Sequence, residues 1–294
     1  MKSGFVAIVG RPNTGKSTLI NSLVGQKVAI TSHHPNTTRH AIRGIVNGPD
    51  FQAVLVDTPG MHKPRTLLGR RLNEVVNESL EDVDIVIMTF PANEKSGVGD
   101  EHILNIVKSS RAKKIAVITK VDTAAKETLP VRLMEVGQLA DWTEIIPVSA
   151  VKSMQINVLT NLLSKHLPEG PKLYPDDQKS DQSIEKLICE HIREAAIKGV
   201  REELPHSITV TIDEMVKREN KDFYDIHATI HIERVSQRGI LLGHKGETLK
   251  NIGMVARKDI ESLIGTKCFL GLHIKVSKEW QKDPKMLERL GFME

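Results

Sequence analysis

An α/β domain with a mostly parallel sheet, followed by a smaller α+β domain, is predicted for this chain by three observations. Through about residue 166, short apolar runs alternate with amphipathic stretches, as strands do when crossover helices join them. The segment HLPEGPKLYPDDQKSDQ (166–182) then breaks the alternation with three prolines and many charges, the composition of an exposed linker. Beyond it the element order becomes α-β-β-α-α-β. With 294 residues the chain suits two cores: residues 1–166, a linker over 167–182, and 183–294 with a C-terminal tail.

The expected strands of the first domain are GFVAIVG (4–10), FQAVLVD (51–57), VDIVIMTF (83–90), KKIAVIT (113–119) and EIIPVSA (144–150). All but FQAVLVD read as buried on both faces, as inner parallel strands are. In the second domain a helix at about 183–199 leads to strands at 207–215 and 223–233. Two helices around a glycine-bearing turn follow, then a strand at 268–276.

Composition narrows the class. Hydrophobic residues make up 39% and charged residues 27%, as in a water-soluble globular chain. No run approaches the roughly 18 apolar residues of a bilayer span. The start MKSGFVAIVG has no apolar stretch before a small-residue cleavage site, so a cytosolic location is expected. Cys189 and Cys268 lie far apart without a CxxC pattern, so neither a metal cage nor a disulfide framework is suggested and both read as core thiols. Net charge is +4, yet residues 171–294 hold 21 Lys+Arg against 21 Asp+Glu. Any attraction of that half for a polyanion must come from a local patch.

GRPNTGKS (10–17) follows the first strand directly and runs into the helical stretch TLINSLV, matching GxxxxGK[ST] in the context that motif requires. This is the signature of a P-loop. Gly10 and Gly15 let the chain bend so that N–H groups converge, and the helix N-terminus adds its positive end. Lys16 is expected to reach β and γ phosphates and Ser17 a Mg²⁺ ion. Asn13, Thr14 and Thr18 belong to the same nucleotide-contacting loop. A chance glycine-rich turn is the bland alternative, which the strand-loop-helix context disfavours.

Asp57-Thr58-Pro59-Gly60 ends the next long run. A carboxylate at the end of a parallel strand beside a phosphate loop suits Mg²⁺ held through water, with the Gly60 amide facing the γ phosphate. By itself DTPG is also an ordinary turn. Thr119-Lys120-Val121-Asp122 and Ser149-Ala150 close the last two strands of this domain. Here the sequence resembles the translation-factor-like GTPases, which place [NT]KxD and SA at these points to read guanine. The Asp122 carboxylate accepts from guanine N1–H and the 2-amino group, donors that adenine lacks, so GTP and GDP are the implied nucleotides. Where Asn is usual the chain has Thr119, whose hydroxyl reaches either the base or the P-loop. Nucleotide affinity is expected to be lower by about 1 kcal/mol for that change.

Gly243-His244-Lys245-Gly246 lies between RGILL and the amphipathic stretch ETLKNIGMVARKDIESLI. A GXXG turn between helices is how a KH domain brings its backbone against a single-stranded RNA. The turn alone is weak evidence, since a helix cap explains it equally well. The α-β-β-α-α-β order, that of a type II KH domain, strengthens it. So do Arg234, Arg238, Lys245, Lys250, Arg257 and Lys258 against Glu247 over 234–258, six positive charges less one negative, locally +5. Arg238, Ile240, Leu242, Gly243, His244, Lys245, Gly246 and Lys250 are the expected RNA contacts, with Leu241 and Ile252 as further apolar candidates, although apolar residues such as Ile240, Leu241, Leu242 and Ile252 more often belong to a core.

TSHHPNTTRHAIRGIV (31–46), the DTPG after it, the GXXG module and the tail KVSKEWQKDPKMLERLGF together resemble the Era family of bacterial GTPases over nearly the whole chain. That resemblance implies a P-loop GTPase joined to a KH domain. Thr38 would be the switch threonine closing on Mg²⁺, acting in catalysis with Lys16 and Gly60. His33, His34 and His40 read as an exposed loop. Met61 stands where a Ras-like enzyme carries its water-orienting glutamine, so hydrolysis relies on backbone, Mg²⁺, a monovalent cation or a partner. Asn13 matches the position that binds K⁺ in related GTPases lacking that glutamine. The family further implies binding to the 16S rRNA 3′ region on the 30S subunit, assistance in small-subunit assembly, a monomer, and peripheral association with the inner face of the cell membrane. Two alternatives stay open: a GTPase acting on another RNA, in tRNA modification or a different assembly step, and a non-hydrolysing nucleotide-dependent RNA-binding protein.

Overall fold

The computed structural model describes residues 1–31, 42–57, 82–125, 127–199 and 207–289. One compact unit holds Met1–Ala29 and the described residues from 42 to Asp181, and the other holds Ile30, Thr31 and the described residues from Gln182 on.

The first unit is built on a six-stranded sheet in the order β2-β3-β1-β4-β5-β6. Its strands are β1 (Lys2–Val9), β2 (Ile42–Asn47), β3 (Phe51–Asp57), β4 (Ile85–Pro91), β5 (Lys113–Thr119) and β6 (Glu144–Pro147). All pairings are parallel except β2 against β3. Helices α1 (Lys16–Val24), α2 (Val98–Ser109), α3 (Thr128–Gly137) and α4 (Ile156–His166) complete the described part. Strand alternation divides the core in two. Val6, Ile8, Ile87 and Val117 face Leu19, Ile20, Leu159 and Leu163 of α1 and α4. Ala7, Val9, Met88 and Ile118 face Ile103, Val107 and Val136 of α2 and α3. Burying each large side chain contributes about 1.5–3 kcal/mol, which fixes the strand ends where the loops begin.

Two features depart from the sequence expectations. IRGIVN forms β2, a strand too short and too interrupted by Arg43 and Gly44 to be read from its pattern. β3, expected to lack cover on one face, is buried along its whole length. Gln52 explains the misreading, because its polar side chain is fully buried yet satisfied. Its Oε1 accepts from the amides of Leu173 and Tyr174 at 2.8 and 2.9 Å, and its Nε2 donates to Tyr174 O at 2.9 Å. The segment expected to be a linker is therefore exposed but bound to the first unit. Ser3 N donates to Pro168 O at 3.0 Å, Ile45 N to Lys179 O at 2.9 Å, and Gly44 bridges Ser180 in antiparallel fashion.

In the second unit α5 (Ile184–Lys198) starts at Ser183, whose Oγ accepts from Lys186 N at 3.3 Å, a helix cap. Strands β7 (Thr209–Lys217), β8 (Phe223–Ile232) and β9 (Lys267–Val276) form a sheet in that order, with β9 parallel to β8. Helices α6 (Val235–Leu242) and α7 (Glu247–Ile264) precede β9, and α8 (Pro284–Arg289) follows it. Ile252, Ala256 and Ile260, four residues apart on α7, pack with Ile188 and Ile192 of α5 and with Ile226, Ala228 and Ile230 of β8. Trp280, fully buried, ties the tail in through Nε1, which donates to Ser207 O at 2.9 Å. Cys268 is buried and Cys189 half-buried, its thiol pushed up to about 12 chiefly by burial, so it carries little thiolate. Among the described residues no helix is long and apolar enough to cross a membrane.

Candidate nucleotide site and nucleic-acid groove

The GRPNTGKS loop leaves the carboxyl end of β1 and enters α1 at Lys16. Glycine is needed at position 10: a Cβ there would lie 2.2 Å from Thr89 Oγ1 and 2.8 Å from Thr14 Oγ1. Those two hydroxyls are 2.7 Å apart, and Thr89 Oγ1 also donates to Val9 O at 3.1 Å, so the loop is pinned to β4. Lys16 is buried, and its Nζ donates to Gly10 O and Arg11 O, each at 2.8 Å. Burial lowers its pKa to about 8, with the Asp57 carboxylate pulling the other way.

Ser17 Oγ donates to Asp57 Oδ2 at 2.9 Å, joining the loop to the end of β3. A hydroxyl and a fully buried carboxylate converging in this way are hard oxygen donors of the kind Mg²⁺ takes. Thr38, Gly60, Met61 and the histidines His33, His34 and His40 lie outside the described residues.

The base motif sits at the end of β5. Thr119 Oγ1 donates to Thr14 O at 2.6 Å, so the hydroxyl is directed to the P-loop. Lys120 takes a left-handed conformation with φ 56°. Asp122 Oδ1 accepts from Ser149 Oγ at 2.5 Å, and Ser149 Oγ in turn accepts from Lys152 N at 3.1 Å. The carboxylate is thus aimed by the SA turn after β6. In the protein alone Asp122 is exposed, so any desolvation of its charge comes from the bound base.

A brace that the motifs did not indicate runs behind these loops. Arg11 Nε forms an ion pair with Asp100 Oδ2 at 2.8 Å, and the buried Asp100 carboxylate accepts a hydrogen bond from Gly97 N at 2.9 Å. Glu94 links Arg11 Nη2 at 3.4 Å to Lys120 Nζ at 3.7 Å. Phosphate loop, base motif and the start of α2 are held as one piece. The signal available in sequence was an arginine inside the P-loop and two acids after β4, too generic to pair without coordinates.

In the second unit the GHKG turn joins α6 to α7. Glycine is required at 243, with φ 68°, because a Cβ would meet Thr248 Oγ1 at 2.1 Å and Thr248 N at 3.0 Å. A groove of about 550 Å³ opens beside the turn, lined by Gly246, Leu249, Lys250, Gly253, Met254 and Arg257 of the α7 side and by Leu270 and Leu272 of β9. Of the expected RNA contacts, Gly246 and Lys250 line it. Arg238, Ile240 and Leu242 sit on α6, and Gly243, His244 and Lys245 in the turn. Ile252 and Leu241, offered as apolar candidates, are core residues. Positions 250, 253, 254 and 257 repeat at i, i+3, i+4, i+7, the periodicity that would have exposed this face.

Residues 5–120 match the family model described as 50S ribosome-binding GTPase, and residues 203–281 match the KH domain. GTPase Era of Streptomyces coelicolor is 52% identical over 99% of this chain and 95% of its own length. GTPase Era of Mycolicibacterium smegmatis is 52% identical, with 99% of both covered. This chain belongs to the Era family of GTPases. Two solved Era structures, a variant from Aquifex aeolicus bound to GDP and aluminium fluoride and a complex with MgGDPNP and nucleotides 1506–1542 of 16S ribosomal RNA, each match at TM-score 0.94 and 36% identity with both chains fully covered. Membership in the Era family brings the P-loop GTPase fold, the KH domain and GTP hydrolysis.

Proposed function

We propose that this chain is a GTP-driven switch that holds 16S rRNA near its 3′ end in the groove beside the GHKG turn and assists assembly of the 30S subunit. The observation that carries the reading is that groove, a basic and apolar cleft opening at a GXXG turn, in a chain whose fold matches an Era bound to 16S nucleotides. The family model that speaks of the 50S particle spans only residues 5–120 and does not reach the groove.

The nucleotide is assigned to Gly10, Asn13, Thr14, Gly15, Lys16, Ser17 and Thr18, with Asp57 and Gly60 toward the phosphates and Thr119, Lys120, Asp122, Ser149 and Ala150 around the base. Lys16 supplies a positive charge held against main-chain carbonyls. Ser17, Asp57 and Thr38 are the residues assigned to Mg²⁺, which when bound offsets the charge developing on the phosphates. Asn13 is the proposed K⁺ contact. Catalysis is assigned to Lys16, Thr38 and Gly60. With Met61 in place of a glutamine, basal turnover is slow and a partner accelerates it. A cytoplasmic monomer that associates peripherally with the membrane completes the proposal.

Phosphate release, measured in KCl and in NaCl at matched ionic strength with and without 16S 3′-end RNA, tests the reading. Turnover is expected to rise with the RNA and with K⁺. No release under any condition would make the chain a nucleotide-dependent binding protein, and crosslinking in cells to an RNA other than 16S would redirect the second half.

A further inference from the structure

We infer that the outer face of the second unit's sheet is a further contact for the RNA strand, on which a base stacks against Phe269 and His227 while Lys275 meets a phosphate. The inference rests on the RNA reading of the groove. Alternation along β9 sends Leu270 and Leu272 to the groove and Cys268 and Ile274 to the core. Phe269, Gly271, His273 and Lys275 therefore lie on the opposite face.

On that face the β8 register sets His227 beside Gly271, and the His227 ring lies 5.6 Å from the Phe269 ring, tilted by 57°. A Cβ at Gly271 would stand 2.7 Å from His227 Nδ1 and 3.3 Å from Phe269 Cε1. Glycine at this point leaves the two rings free to lie together. Phe269 is 48% exposed in a chain with only 3% aromatic residues, and aromatic faces on a sheet are stacking platforms for bases.

Charge on this face is mixed: exposed Glu214 stands beside His227 in register, while Lys275 supplies a cation on the β9 side. Lys275 and His273 are exposed, and among the described residues no carboxylate pairs with Lys275. Asp225, next to Phe269 in register, is neutralised by Arg218 through two bonds of 2.7 Å, and Asp213 lies on the far strand, accepting from Thr229 at 2.7 Å. Position completes the case. β9 is an edge strand, so a strand leaving the groove crosses one backbone and arrives at Phe269.

The test is fluorescence anisotropy of the full chain with single-stranded probes of about four nucleotides, the length a GXXG turn clamps, and about twelve. Phe269→Ala with Lys275→Ala is expected to weaken the long probe about tenfold and reduce its salt slope by about one, leaving the short probe unchanged. Gly243→Asp with Gly246→Asp should weaken both. Phe269→Tyr, which keeps a ring, should bind the long probe as the parent does. Unchanged long-probe binding in the Phe269/Lys275 variant, as for a face used only by protein, overturns the inference and leaves the groove reading standing. So does equal loss of both probes in that variant, or failure of the tyrosine variant. Full affinity for both probes in the Gly243/Gly246 variant defeats the groove reading, and this inference falls with it.

Discussion

The nucleotide site and the proposed RNA groove solve recognition in opposite ways. Around the P-loop the recognising groups already hold one another: Lys16 the Gly10 and Arg11 carbonyls, Ser17 the Asp57 carboxylate, Thr119 the Thr14 carbonyl, Ser149 the Asp122 carboxylate. The groove is instead a shallow surface on which Lys250, Met254 and Arg257 are exposed. A site that must tell one purine from another needs donors and acceptors fixed in advance, because misplacement costs as much as a missing bond. A site that follows a flexible polyanion draws affinity from charge and apolar area, and adapts.

The contrast breaks most visibly at Lys16. Lys16→Ala should reduce GTP and GDP affinity by about a hundredfold, read by fluorescent-nucleotide titration, with RNA binding by the nucleotide-free chain unaffected. Gly243→Asp with Gly246→Asp should do the reverse, lowering RNA affinity about thirtyfold by distorting the positive-φ turn against Thr248 and by like-charge repulsion, while basal GTP turnover stays within error. Loss of turnover in that variant would mean the two sites are not separable. Asp122→Asn should cost about tenfold in GTP affinity and raise affinity for XTP, whose 2-oxo group accepts from the amide; equal loss for both nucleotides would show that Asp122 does not read the base. Thr119→Val removes the bond to the P-loop and should weaken nucleotide binding by about 1 kcal/mol in calorimetry.

The smallest effect concerns pH. Lys16 is lowered from 10.5 to about 8 by burial. Below pH 8 the group is charged in folded and unfolded chains alike, and the full cost of burying the charge is present. Between about 8 and 10.5 the unfolded chain keeps a proton that the folded chain has lost, so stability from this group rises with pH. The nucleotide-free protein should therefore keep more of its thermal midpoint through that window than Lys16→Ala does. Its affinity for GTP should fall over the same range as the charge is lost. Parallel pH profiles for the two proteins would show that burial does not shift Lys16.

Legibility followed the same divide. β1, β4 and β5 are continuous apolar runs, so the loops at their carboxyl ends, with Gly10, Lys16 and Asp122, could be placed from local pattern alone. β2 could not, since IRGIVN becomes a strand only by pairing with β3 and with residues about Lys179 and Ser180. Gln52 misled for a related reason: a buried amide looks like an exposed one until its partners at Leu173 and Tyr174 are known. On α7, Ile252 and Gly253 are neighbours in sequence, yet one lies in the core and the other in the groove. The helix phase that separates them is set by packing on α5 and β8. The brace from Glu94 through Arg11 to Asp100 joins residues far apart in the chain and had no motif to announce it.

The segment over 168–181 does more than connect. By lying against β2 it occupies backbone groups that would otherwise form a raw sheet margin, the kind of margin that recruits strands from other molecules. Its prolines and charges, which made it look like a spacer, suit a selvage: they finish the cloth and give a neighbouring chain little to extend. Cutting it near Lys179 would leave the catalytic loops untouched and make the protein sticky to itself.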